Sequence, residues 1–158
     1  MLASWNELKR GAGCPLCSPR ADYDEYRYLV RKLQVSTLYL TRGQRYLGTC
    51  VLVFDGRHLA YISELGDDEW VQLAVDLRES EKAIHQAFSP DHLNVECLGN
   101  TVPHLHFGLI PRYKDDGRWG RPIWTAQGKE REQLILAEEK YAELAARILR
   151  SLENRPVS

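Results

Sequence analysis

Asn100-Thr-Val-Pro-His-Leu-His-Phe-Gly-Leu-Ile-Pro-Arg112 is the stretch on which the reading of the whole chain turns. Successive side chains of an extended segment alternate between faces, so Leu105, Phe107 and Leu109 share one face while His104 and His106 share the other. The apolar face needs a core to cover it, and the stretch therefore predicts a half-buried strand over about 103–111. Two imidazoles then stand roughly 7 Å apart along its polar face. An imidazole can attack as a neutral nucleophile, leave again, or ligate a metal. From the residues alone, a His-x-His pair is equally well two partly exposed strand histidines without a role.

Outward from that strand, Leu93–Leu98 predicts a partner strand, joined to it by the turn residues Gly99 and Asn100. Upstream, Tyr28-Leu-Val-Arg-Lys-Leu, Ser36-Thr-Leu-Tyr-Leu and Gly48-Thr-Cys-Val-Leu-Val-Phe are rich in β-branched and aromatic residues and predict three more strands. Between the two groups, Trp70, Leu73, Ala74, Leu77, Ile84 and Phe88 recur at spacings of three and four, which predicts an amphipathic helix over 67–88 ending before Ser89-Pro90. A second helix is predicted over about 130–152, after an irregular stretch from Lys114 to Gln127 that carries Trp119 and Trp124. Core packing is the expected use of those tryptophans, with lining a base or packing on a second subunit as alternatives; Arg112 and Lys114 are expected at a solvated strand end, the alternative being positive charge for a phosphate. Antiparallel strands with separate helices define an α+β class. No repeat or long linker divides the sequence, so residues 1–158 read as one domain with a core of about 13–124.

The 21 basic and 22 acidic residues nearly cancel, leaving no field that would gather nucleic acid, so a nucleic-acid partner is not expected. No apolar run approaches the roughly 18 residues that span a bilayer, and the opening residues are too polar for a secretory leader; the expected setting is the cytoplasm, with no membrane partner. In a reducing compartment Cys14, Cys17, Cys50 and Cys97 are metal ligands or core thiols rather than disulfides. Cys14-Pro-Leu-Cys17 has the spacing of two thiolates on one zinc ion, which needs two further ligands. His58, in Gly56-Arg-His, is a candidate third ligand or a polar turn residue.

Taken together, His104-Leu-His-Phe-Gly-Leu-Ile-Pro-Arg-Tyr113 resembles the alternating-histidine signature of the histidine-triad (HIT) superfamily. Gly48 to His58, Asp67-Asp-Glu-Trp70, Leu98-Gly-Asn-Thr-Val-Pro-His104 and Lys114 to Trp124 resemble its other segments in the same order. The resemblance implies a five-stranded antiparallel sheet with two main helices, a nucleotide or nucleotide-conjugate substrate, and a homodimer. It makes His106 the nucleophile that attacks an α-phosphorus, and Asn100 a contact to phosphate or ribose; Thr101 beside it is equally a neutral donor to those oxygens or a turn residue after Gly99. In a zinc-bearing branch of the family, structural zinc is held by residues matching Cys14, Cys17, His58 and His104.

One position departs from the pattern. Where the family has its third histidine, and its transferase branch a glutamine, this chain has Gly108, which offers a ligand only its backbone N–H. The implied activity is a nucleotidyl hydrolase or transferase acting through a nucleotidyl-His106 intermediate. The alternative implied by Gly108 is a nucleotide-binding protein with weak or no turnover.

Overall fold

The computed structural model describes residues 4–17, 22 and 24–154. In chain order these form α1 (Trp5–Lys9), β1 (Arg27–Lys32), β2 (Ser36–Thr41), β3 (Cys50–Phe54), α2 (Asp67–Phe88), β4 (His92–Glu96), β5 (His106–Arg112) and α3 (Glu138–Glu153). The five strands make one sheet in the order β1-β2-β3-β5-β4, every neighbouring pair antiparallel. The expected α+β class holds, with α2 and α3 as the two main helices.

Register follows the apolar pattern. Leu38, Leu52 and Phe107 lie opposite one another across β2, β3 and β5, as do Leu40, Cys50 and Leu109. All six face one core, which α2 closes with Leu73, Ile84 and Phe88 and α3 with Tyr141, Leu144 and Ile148. The opposite face carries His106 and Gly108, both half-buried, and then Ile110 and Arg112, both buried, so only its first half is open to a ligand.

Helix α2 ends as its sequence dictates: Ser89 takes a left-handed conformation (φ 48°) and its N–H caps the carbonyl of His85. Of its predicted apolar stripe, Trp70 is exposed. The helix is also clamped to the sheet through a polar residue. Asp76, 2% exposed, accepts from the N–H groups of Gln34 and Val35 and from the hydroxyl of Ser36. Asp76→Ala leaves those donors without an acceptor, and a loss of about 3 kcal/mol is expected from a buried hydrogen-bonded carboxylate. Urea denaturation checks it through a lowered midpoint.

Three boundaries differ from expectation. The second helix starts at Glu138, preceded by a 3-10 turn (Gly128–Arg131) and an extended stretch. Carbonyls of this stretch accept from tertiary donors: that of Leu134 from the Gln44 N–H, and those of Lys129 and Glu132 from the Arg45 guanidinium. Such bonds override helix propensity. Strand β4 stops at Glu96, and β5 begins at His106, because the lead-in turns at His104, whose N–H bonds the Val102 carbonyl.

Arg112 is no solvated strand end. It is 3% exposed and stacks over Tyr46 at 5.1 Å. Its guanidinium donates to Asp116 at 2.7 Å and to the carbonyls of Arg118 and Arg121, so the irregular segment after β5 is organised around it. Burial alone would raise the Asp116 carboxyl, but hydrogen bonds from Arg112 and from the Arg118 N–H hold it below the usual range. That segment leaves Trp119 and Trp124 exposed (45% and 59%) rather than packed in the core.

Candidate functional site

Two features meet at the start of β5. The first is a cluster of Cys14, Cys17, His58 and His104, one ligating atom from each lying within 4.8 Å of all the others. The C-x2-C spacing marks only the two cysteines; His58 and His104 are distant from them in sequence and are brought in by the fold. The loop after α1 brings the cysteines, the turn after β3 brings His58, and the lead-in to β5 brings His104. Cys17 Sγ lies 3.2 Å from His58 Nδ1 and 3.4 Å from His104 Nδ1; Cys14 Sγ lies 3.5 Å from His104 Nδ1. Around a tetrahedral ion with bonds of about 2.0–2.3 Å, neighbouring ligand atoms stand roughly 3.3–3.8 Å apart.

Protonation also suits a ligand set. His104 Nε2 lies 2.8 Å from the Phe54 carbonyl, which can only accept, so Nε2 carries the proton and Nδ1 turns its lone pair to the sulfurs. The His58 and His104 rings meet edge to face at 5.3 Å. Gly11 (φ 87°) packs so close to His58 that an added Cβ would stand 3.0 Å from its Cγ. Only glycine satisfies both conditions. The cluster can hold a metal ion. The other two cysteines are outside it: Cys50 is buried in the core and burial pushes its thiol up, and burial raises Cys97 as well.

Immediately beyond the cluster is a cavity of about 480 Å³ whose lining includes Trp5, Tyr61, Ile62, Asn100, His104 and His106. His106 is half-buried. Its Nδ1 is 2.6 Å from the His104 carbonyl and must donate to it, which leaves the lone pair on Nε2. His104 thus faces the cysteine–histidine cluster with its ring and orients His106 with its backbone. Thr101 is exposed and lies outside the cavity lining, as does Gly108, two residues along β5.

Gly108 is a position the neighbours have closed over. An added Cβ would meet Ile110 Cδ1 at 3.2 Å and come within 3.9 Å of Glu96 Cβ. Trp5, Tyr61 and Ile62 were not expected at the site. Trp5 had a legible signal in the Ser4-x-x-Glu7 capping box that starts α1, where Ser4 N–H donates to Glu7 at 2.7 Å.

Sheet order, helix placement and site together define a HIT-like fold. Residues 46–115 match the family model of the HIT domain. Among solved structures, a histidine triad protein from Bradyrhizobium japonicum superposes with a TM-score of 0.74 at 23% identity, covering 87% of this chain and 99% of that one. A Zn-bound histidine triad family protein from Mycobacterium smegmatis superposes with a TM-score of 0.58 at 15% identity, covering 84% and 88%. In sequence, the chain is 28% identical over 101 residues to the bis(5'-nucleosyl)-tetraphosphatase (asymmetrical) of Schizosaccharomyces pombe. That alignment takes in 58% of this chain and 56% of the tetraphosphatase, so the chain spans little more than half the length of this relative. No helix among the described residues is long and apolar enough to cross a membrane.

Proposed function

We propose that the chain is a one-domain HIT protein that cleaves dinucleoside polyphosphates or related nucleotide conjugates through a nucleotidyl-His106 intermediate. The observation that carries this reading is the His106 ring: its Nδ1–H is committed to the His104 carbonyl, and its Nε2 lone pair is left for a phosphorus atom entering the Asn100-lined cavity. Asn100 serves as a neutral donor to phosphate or ribose oxygens, with Thr101 and the surface at Gly108 as further contacts that a bound substrate would have to recruit. Structural zinc is the fitting occupant of Cys14, Cys17, His58 and His104, because two thiolates and two imidazoles form its usual tetrahedral donor set. None of the four cysteines is in a disulfide, which fits a reducing cytoplasm. A homodimer has a natural seam at β4, an edge strand of the sheet flanked by the exposed Trp119 and Trp124.

Gly108 favours a second reading, a nucleotide binder without turnover, since Ile110 leans over the place where a third polar residue would act. Incubation with diadenosine tetraphosphate and with an adenosine phosphoramidate separates the two. The expected result is release of AMP. Thermal protection by AMP with neither compound consumed would instead establish the binder.

A further inference from the structure

Gly108 lies directly opposite Glu96 in the β4–β5 ladder, and directly opposed residues point to the same face of a sheet. The 3.9 Å between Glu96 Cβ and the place of a residue-108 Cβ confirms that shared face, which is also the face of His106. Diagonal neighbours such as Glu96 and His106 stand roughly 7–8 Å apart, their Cβ atoms somewhat closer, a gap that a glutamate side chain and a phosphate would fill between them. Glu96 lines a cavity of about 460 Å³ with Arg45, Thr49 and Trp124, and Leu98 is a wall common to it and the His106 cavity.

On the strength of the nucleotidyl-transfer reading above, we propose that Glu96 supplies from β4 the acid that β5 lacks at Gly108, protonating the leaving group as His106 attacks. The lone pair of His106 Nε2 forms a bond to phosphorus while the bond from phosphorus to the leaving nitrogen or oxygen breaks. The electron pair stays on the leaving atom, which takes the Glu96 proton. In the return step the Glu96 carboxylate takes a proton from water as its oxygen attacks phosphorus, and the phosphorus–Nε2 bond breaks to restore neutral His106. Burial raises the Glu96 carboxyl toward the protonated form, and Arg112 opposes this only in part. A neutral acid also avoids repulsion with the phosphate, which a carboxylate there would suffer.

The test compares two adenosine 5'-phosphate derivatives in Glu96→Gln. An N-alkyl phosphoramidate expels an amine that must be protonated; the p-nitrophenyl ester expels a stable phenolate that need not be. The ratio kcat/KM reports the steps through transfer to His106. The expected result is a fall of about 10²- to 10⁴-fold for the phosphoramidate, the usual range for a lost general acid, with the p-nitrophenyl ester changed less than about fivefold. Retained turnover of that ester also shows the variant to be folded. An equal loss on both substrates, or none on either, overturns the role of Glu96 alone. Failure of the unaltered protein to turn over either compound overturns the nucleotidyl-transfer reading and this role with it.

Discussion

His106→Ala is expected to abolish nucleotide release, by at least about 10⁴-fold, because on the proposed mechanism it removes the nucleophile and leaves only binding and positioning to act on the uncatalysed reaction. A two-step displacement depends on a group that attacks, holds the nucleotide, and leaves. No other histidine or thiol among the described residues can take over without moving. His104 has both ring nitrogens engaged, one by the Phe54 carbonyl and the other by the sulfurs of Cys14 and Cys17. Cys97 lines the same cavity, but burial raises its thiol, which favours the weakly nucleophilic protonated form. Mass spectrometry of acid-sensitive, base-stable nucleotide adducts checks the assignment: a nucleotidyl-histidine present in the unaltered protein should vanish in the variant. Its persistence would disqualify His106. Folding should survive, since the ring is half-buried and gives up one hydrogen bond, worth about 1 kcal/mol.

Why some of this was readable in the chain, and some not, follows from the range of the interactions. Helix α2 and the core face of β5 are written in local periodicity, so Asp67–Phe88 and the burial of Leu105, Phe107 and Leu109 match the expectation. The start of α3 is set by donors from the loop between β2 and β3, ninety residues away in sequence, and no local pattern carries that information. Arg112 looked like a surface cation because its partners, Asp116 and two carbonyls, become partners only once the chain turns back over the sheet. The metal cluster was legible as two cysteines at a ligand spacing; His58 and His104 joined them through a family resemblance, not through spacing. Glu96 was missed altogether, since the register that sets it against Gly108 is a property of two strands and is visible in neither alone.

The second large effect is expected from the metal cluster, and it reaches beyond the four ligands. Helix α1 buries none of its residues, so little apolar packing holds the first segment of the chain. What ties that segment to the body is Cys14, 2% exposed, and Cys17, both set against His58 and His104. With zinc bound, that tie would be a set of four strong bonds; without it, it is three weak sulfur–imidazole contacts and the Gly11 packing on His58. Protein purified without added metal should hold about one zinc atom per chain, and Cys14→Ser should lose it. Loss of a structural metal ligand costs about 3 kcal/mol or more, which for a chain of this size lowers Tm by roughly 6–12 °C. Chelation should also expose residues 4–17 to protease before any cut in the sheet. Because Trp5 lines the His106 cavity and the His104 carbonyl orients the His106 ring, the metal-free protein should bind AMP more weakly even at temperatures where it stays folded. A metal-free preparation with an unchanged Tm and unchanged AMP affinity would remove zinc from the account and leave the four side chains as a hydrogen-bonded cluster.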